Sequence, residues 1–186
     1  MPKVTDALFV LDPTKILTDH GTNDGYKPLN NEGLGYVFAV APFSDVAQST
    51  DQSEVDAQQA QDHQQEEGGD QAELIINVGD VARFRSLPLG WRSDHQCFID
   101  KIVFDTPGNK IITSPTKICR SVSSTELDPT ATLFTQYTLA SEVDHYHEAT
   151  TLCSGTAKFT VNFSIYDDKL RRLGGYSLRS QIKVEA

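Results

Sequence analysis

The sequence predicts an all-β protein, an antiparallel β-sandwich of the jelly-roll type with about eight short strands. Three observations indicate this fold. Apolar and polar residues alternate over many short segments, glycine, proline and asparagine separate those segments, and no long segment has helical periodicity. The chain has 186 residues, which suits one domain with a substantial core, so we predict a single domain over residues 1–186.

Before the C-terminal region, six segments have the composition of short strands. They are residues 4–12, 35–43, 74–78, 81–87, 97–105 and 134–140. Residues 74–78 and 81–87 flank Gly79 and Asp80, so within residues 74–91 we predict two strands joined as a β-hairpin by that turn. In residues 97–105 two faces compete for the interior, and the register stays open. One face carries Cys97, Ile99 and Val103, and the other carries Phe98, Ile102 and Phe104.

The alternation is clearest in the last two predicted strands, residues 158–166 and 176–184. Each places large apolar side chains on one face and polar side chains on the other, which is typical of a half-buried strand. The segment between them supplies a hairpin turn. The predicted inward residues are Phe159, Val161, Phe163, Ile165, Tyr176, Leu178, Ile182 and Val184.

Residues 44–71 differ from the rest of the chain in composition. Seven glutamines lie between Gln48 and Gln65, and the segment has no aromatic and no basic residue. Such a composition cannot bury enough apolar area to offset the entropy lost on ordering. We predict a disordered acidic insertion between two strands, with a short exposed helix as the alternative.

The net charge of −10 is concentrated in one region of the chain. Eleven acidic residues lie from Glu32 to Asp80, whereas no lysine or arginine lies between Lys27 and Arg83. The remainder of the chain is close to neutral. Because an acidic chain without a basic patch repels phosphate groups, we expect neither nucleic acid nor a membrane surface as a partner.

Cysteine usage and the N-terminus predict a cytoplasmic protein. Cys97, Cys119 and Cys153 are an odd number at wide spacings, which argues against a disulfide framework. The apolar run from Ala7 to Leu11 is too short for the core of a signal peptide, and no segment approaches the roughly 20 apolar residues that span a bilayer. We therefore predict reduced thiols and no transmembrane segment.

The first candidate site is a metal site in residues 143–153. If this segment is extended, His145 and His147 project from one face, a spacing that suits two imidazole ligands on one ion. Glu148 and Asp144 could add oxygen ligands. The alternative is that these histidines, flanked by acids, are only solvated. We expect no cofactor and retain the metal site as the weaker interpretation.

The second candidate site is a shallow sugar-binding rim in residues 87–96. The single tryptophan, Trp91, lies in a Pro/Gly loop with Arg92, Asp94 and His95. An exposed aromatic ring beside hydrogen-bonding groups suits a carbohydrate ligand. The alternative is that Trp91 folds back and closes one end of the core.

No segment has the pattern of a catalytic site. A nucleophile elbow, a phosphate-binding glycine loop and a Cys-x-x-Cys pair are all missing from the sequence. The Ser154-Gly155 step leads into a strand, and none of the cysteines has a histidine partner indicated by the sequence. We therefore predict no catalytic residues and a protein that is not an enzyme.

Four ordered motifs resemble the AidA/PixA family of bacterial inclusion body proteins. The first is the V-x-D element at residues 10–12, and the second is N-V-G-D at residues 77–80 followed by Phe84-Arg85. The third is S-G-T-x-x-F-x-V-x-F-x-x-Y at residues 154–166, and the fourth is Gly175-Tyr176 with Ile182. We expect Gly79 to permit a turn, Phe84 to pack inward and Arg85 to pair across the sheet.

The resemblance implies a protein linked to cytoplasmic inclusion bodies and to interaction with animal hosts, without established catalytic residues. Our first hypothesis is a non-enzymatic protein that acts by self-association, as a homo-oligomer, or by binding a host protein. The second is a carbohydrate-binding module that uses Trp91 to hold a glycan. The third is the metal site at His145 and His147.

Overall fold

The computed structural model of the chain describes residues 2–29, 33, 35–41, 74–89, 94–127 and 137–186. Ten strands and two short helices lie in this part of the chain. In chain order they are β1 (Val4–Leu11), α1 (Pro13–His20), β2 (Tyr26–Pro28), β3 (Val37–Val40), β4 (Leu74–Asn77), β5 (Val81–Pro88), β6 (His95–Phe104), α2 (Gly108–Ile111), β7 (Thr116–Leu127), β8 (Tyr137–Thr150), β9 (Gly155–Asp167) and β10 (Arg172–Glu185).

The strands form two five-stranded sheets, which confirms the predicted all-β fold with two layers. Sheet 1 has the order β3-β1-β5-β8-β7, and sheet 2 has the order β2-β10-β9-β6 with β4 also paired to β10. The pairing is mixed, and not purely antiparallel as predicted, because β1–β5, β2–β10 and β4–β10 are parallel. The strand count exceeds the predicted eight because β2 and β7 have no strict alternation of apolar residues.

The core lies between the two sheets and is rich in aromatic rings. Phe84 of sheet 1 is fully buried, and its ring lies 5.5 Å from that of Phe159 of sheet 2, between centroids. Phe159 in turn contacts Phe104 at 5.2 Å. The residues predicted to face inward on β9 and β10 are all buried, because strict alternation over a long strand leaves one choice of face.

A β-bulge in β6 resolves the open register of residues 97–105. The pairing of β6 with β9 shifts between Ile99 and Lys101, so one extra residue, Asp100, is accommodated there. Cys97 and Ile99 face the core before the bulge, and Ile102 faces it afterwards. Each of the two competing faces is therefore correct for half of the strand.

The predicted hairpin within residues 74–91 is wrong, because β4 and β5 belong to different sheets. Leu74–Asn77 pairs with β10, whereas Val81–Pro88 pairs with β1 along its whole length. Gly79, with φ of +88°, turns the chain from one sheet to the other. The buried Thr151 fixes this crossing, since its hydroxyl donates toward the carbonyl oxygens of Asn77 (2.7 Å) and Asp80 (3.0 Å).

The sequence did not predict α1, yet its ends have clear causes. The carboxylate of Asp12 accepts a hydrogen bond from the Lys15 amide at 3.0 Å, and Pro13 follows at the first helical position. Gly21, with φ of +70°, ends the helix by donating its amide to the carbonyl oxygen of Leu17. The V-x-D motif therefore ends a strand and caps a helix.

Arg172 ties the loop before β2 to sheet 2. Its guanidinium donates hydrogen bonds to the carbonyl oxygens of Asn23, Asp24 and Gly25, at 3.3, 3.0 and 2.9 Å. The side chain passes directly over Gly175, where a Cβ atom would lie 2.0 Å from Nη2. Gly175 is thus needed for this close approach.

The predicted acidic insertion, residues 44–71, lies outside the described residues.

Candidate interaction surface

The two faces of β8 separate the residues of the predicted metal site. His145 and His147 lie on the face that turns toward sheet 2, as the spacing predicts for an extended segment. Asp144 and Glu148 lie on the opposite face, where each pairs with an arginine. Among the described residues, no cluster of three or more histidine, cysteine, aspartate or glutamate side chains is arranged to hold a metal ion.

The surroundings of both histidines disfavour the charged form of the imidazole ring. The His145 ring packs on Phe98 with 4.9 Å between centroids, and His147 is buried beside the backbone of Asp100. Burial lowers the pKa of both imidazoles, and the ammonium group of Lys117 lowers it further. The contacts of His145 and His147 thus belong to the junction of the two sheets.

The opposite face of sheet 1 carries a tyrosine covered by three arginines. Tyr146 is only 3% exposed although its face of the sheet is turned to solvent. The guanidinium carbons of Arg85, Arg83 and Arg120 lie 4.5, 4.8 and 5.5 Å from the centre of its ring. Such stacking is a cation–π arrangement that also shields the ring from water.

Carboxylates bridge these arginines and tie β8 to its neighbours. Arg85 bonds to Asp6 on β1, at 2.9 Å, and to Asp144 on β8. Arg120 of β7 also lies 3.4 Å from Asp144. Burial alone would raise the pKa of Asp144, but the hydrogen bonds and charges of the two arginines outweigh it, so the pKa lies below its usual value. The confirmed cross-sheet pairing of Arg85 therefore anchors β7 and β8 at this point.

Beyond this anchor β7 and β8 continue as a two-stranded projection, which we call the arm. The arm comprises residues 121–127 of β7 and 137–143 of β8. In the described part of the chain β5 pairs with β8 only over His147–Thr150, so β7 is the one strand paired with β8 in the arm. Most arm residues are exposed, unlike those of the long strands β9 and β10.

One face of the arm carries exposed apolar side chains. Tyr137, Leu139 and Val143 are 64%, 76% and 64% exposed, and we call them the arm stripe. They alternate along β8 with the same parity as His145 and His147, so they extend the face that packs on sheet 2 nearer the core. In the described residues, no strand of sheet 2 pairs with β8, and the side chains of the stripe stay exposed. Single exposed apolar residues are normal, whereas three on one strand face make the arm stripe a candidate interaction surface.

The predicted sugar-binding rim is described only at its end. Trp91 and Arg92 lie outside the described residues, and Asp94 is exposed just before β6. The carbohydrate hypothesis thus stays a prediction.

The three cysteine thiols and the Ser164 hydroxyl differ in their burial and contacts. Burial raises the pKa of Cys97 to about 12, with a further contribution from the charge of Asp12, so its thiol stays protonated. The Ser164 hydroxyl donates to Asp100 and accepts from Arg172 at 3.0 Å, so it is held between a carboxylate and a guanidinium. Cys119 and Cys153 are exposed free thiols.

These features define a two-sheet β-sandwich protein with a projecting arm. The sequence profile of the PixA family, described as inclusion body protein, matches residues 4–184. The chain therefore belongs to the PixA family of inclusion body proteins, as the four motifs predicted.

A solved structure of the family agrees with this assignment at the level of the fold. The crystal structure of a PixA inclusion body protein from Burkholderia cenocepacia matches with a TM-score of 0.69 and 16% identity, over 98% of this chain and 96% of that one. A cysteine protease inhibitor from Entamoeba histolytica matches with a TM-score of 0.29 and 14% identity, over 62% of this chain and 88% of that one. No curated protein sequence matches the chain.

Among the described residues, no helix has the length and apolar character needed to cross a membrane.

The sequence contains partial signals for the residues that the predictions missed. Arg83 lies two residues before Arg85, whose pairing was predicted, and this spacing on a strand places both on one face and suggests a common partner. Nothing in the sequence identifies Tyr146 as that partner, because the contact joins strands that are distant in the chain. Arg172 was missed because its partners are backbone carbonyl oxygens, which any residue supplies.

Proposed function

We propose that this protein is a non-enzymatic, self-associating protein, and that two copies join by packing their arm stripes against each other. The observation that carries the proposal is the exposure of Tyr137, Leu139 and Val143 on a face that is buried nearer the core. At the base of β8 this face is covered by sheet 2 of the same chain. In the arm, the corresponding cover is the arm of a second copy. The family description as inclusion body protein supports this, because dense accumulation requires contacts between identical molecules.

The dimensions of the arm indicate a weak association. Residues 137–143 span roughly 23 Å when extended, and two paired strands are about 10 Å wide. Packing that face buries on the order of 300 Å² per copy, below the roughly 800 Å² per partner of a stable interface. The contact therefore forms at high protein concentration and dissociates on dilution, which suits a protein that is stored and released.

The contribution of a single stripe residue is large enough to measure. Packing Leu139, which is 76% exposed, contributes about 1–2 kcal/mol in each copy. Since a two-fold contact contains the residue twice, replacing it weakens dimerisation by about 2–4 kcal/mol, or roughly thirty-fold to a thousand-fold in the dissociation constant.

The test is sedimentation equilibrium from micromolar to millimolar concentration for the native chain, Leu139→Asn and Leu170→Asn. Leu170 is a matched control because it is 75% exposed in the turn after β9, and its φ of +59° tolerates asparagine. We expect the average molar mass to rise with concentration for the native chain and for Leu170→Asn. For Leu139→Asn we expect it to stay at the mass of the monomer. Leu139→Thr, which keeps a strand-forming residue, separates lost packing from a damaged arm. A monomer at all concentrations, or equal association of all variants, would contradict the proposal.

A further inference from the structure

A second surface feature, distinct from the arm stripe, is an open pocket of about 450 Å³ where β6 meets α2 and the start of β7. This volume lies within the range of small-molecule sites, which is roughly 300–1,000 Å³. The apolar residues Val103, Phe104 and Pro115 line one part of it, and Val103 is 39% exposed. The pocket therefore has a preformed apolar wall.

The polar lining of the pocket is predominantly cationic and hydrogen-bonding. Lys101 and Lys117 are exposed, and neither forms an ion pair with a carboxylate in the described part of the chain. Asn109 and Ser114 add neutral polar groups, and His147 lies directly across the strand pair from Lys117. Two unpaired ammonium groups at one pocket attract an anion.

The one carboxylate among the lining residues is engaged elsewhere. Asp100 accepts hydrogen bonds from the hydroxyl groups of Tyr26, at 3.0 Å, and Ser164. Because Asp100 occupies the bulge of β6, its carboxylate is drawn toward these residues on the outer face of sheet 2. Although Asp100 precedes Lys101 in the sequence, its carboxylate therefore offsets little of the positive charge of Lys101 and Lys117.

We propose that this pocket binds a small organic anion, with a carboxylate or phosphate group between Lys101 and Lys117 and an apolar body against Val103 and Phe104. His147, which also lines the pocket, reports the bound charge, since burial, Lys117 and His145 disfavour its protonated form and Asp100 favours it. An anion bound beside Lys117 offsets the positive charge of that lysine and so raises the pKa of His147. Self-association through the arm uses none of the pocket residues.

The test uses three probes of similar size, namely benzoate, phenyl phosphate and neutral benzyl alcohol, added to the full chain. Nuclear magnetic resonance of the histidine rings follows both binding and the pKa of His147. We expect saturable binding of at least one anionic probe, a raised His147 pKa in the complex, and no saturable binding of benzyl alcohol. The comparison of benzoate with phenyl phosphate decides between carboxylate and phosphate ligands.

Charge-removing variants locate the binding. Lys117→Met and Lys101→Met keep the length of exposed side chains, and each should weaken the bound probe tenfold or more. Lys169→Met, in the exposed turn after β9, is the matched control and should bind as the native chain does. Binding that is unaffected by both pocket variants would overturn the proposal. So would the absence of saturable binding of either anion at millimolar concentration.

Discussion

Replacing Gly175 with alanine is the substitution for which the structure gives the clearest physical consequence. The added Cβ atom would lie 2.0 Å from Nη2 of Arg172 and 2.3 Å from the carbonyl oxygen of Gly25. The arginine can swing away, but the Gly25 oxygen belongs to the backbone next to β2, which pairs with β10 at this residue. Relief of the clash therefore requires that the side chain leave and that the loop move.

The expected loss combines two contributions. Forcing a methyl group into a packed position costs about 1–3 kcal/mol. Displacing Arg172 removes its hydrogen bonds to Asp24 and Gly25, which contribute roughly 0.5–1.5 kcal/mol each because the side chain is exposed to water. We expect Gly175→Ala to lower the free energy of unfolding by about 4 kcal/mol, which lowers Tm by roughly 8–16 °C in a domain of this size.

Urea unfolding followed by tryptophan fluorescence and by circular dichroism measures this loss. The matched control is Gly25→Ala, since a Cβ there meets no heavy atom within 4 Å. Its stability should stay within about 0.5 kcal/mol of the native chain. If Gly175→Ala and Gly25→Ala unfold at the same urea concentration, the interpretation of Gly175 as a site of required close approach is wrong.

Three further predictions concern ionisable groups. In the native protein, two of the three thiols should react quickly with a thiol reagent, and the third, Cys97, should react only after denaturation. Fast reaction of all three thiols would contradict the burial of Cys97. Asp144→Asn should lower the free energy of unfolding at pH 7. The difference in this free energy between the native chain and the variant should shrink as pH falls through the lowered pKa of the Asp144 carboxyl beside Arg85. Urea titrations that give the same difference at several pH values would contradict this prediction. His147 should titrate below its ordinary pKa of 6.5 when its ring is followed by nuclear magnetic resonance. The free energy of unfolding should fall as pH decreases from neutral toward that lowered pKa, and it should fall less in His147→Gln. An unshifted pKa of His147 would remove the basis for this pH dependence.

Strands whose own pattern decides their face were predictable, and long-range partners were not. On β9 and β10 strict alternation leaves one possible buried face, so the core residues were predicted correctly. In β6 the bulge at Asp100 changes the parity, and no local residue type marks that change. Gly79 and Asp80 indicate a turn, but a turn within one hairpin and a crossing between two sheets have the same local sequence.

The candidate sites show the same limit. The shared face of His145 and His147 followed from the period of a strand, and the same period places Glu148 on the opposite face, where Arg83 binds it. The arm stripe could not be predicted, because its exposure depends on where sheet 2 ends. Sequence patterns predict which side chains share a face, whereas the cover on that face depends on elements far along the chain.

Hydrogen–deuterium exchange as a function of protein concentration tests self-association through the arm most directly. We predict that backbone amides of residues 137–143 become more protected as concentration rises, because each arm covers the stripe of its partner. The turn around Leu170, which has equal exposure and no role in the contact, should not change. Unchanged exchange in the arm while the protein associates would place the contact elsewhere and contradict the proposed function.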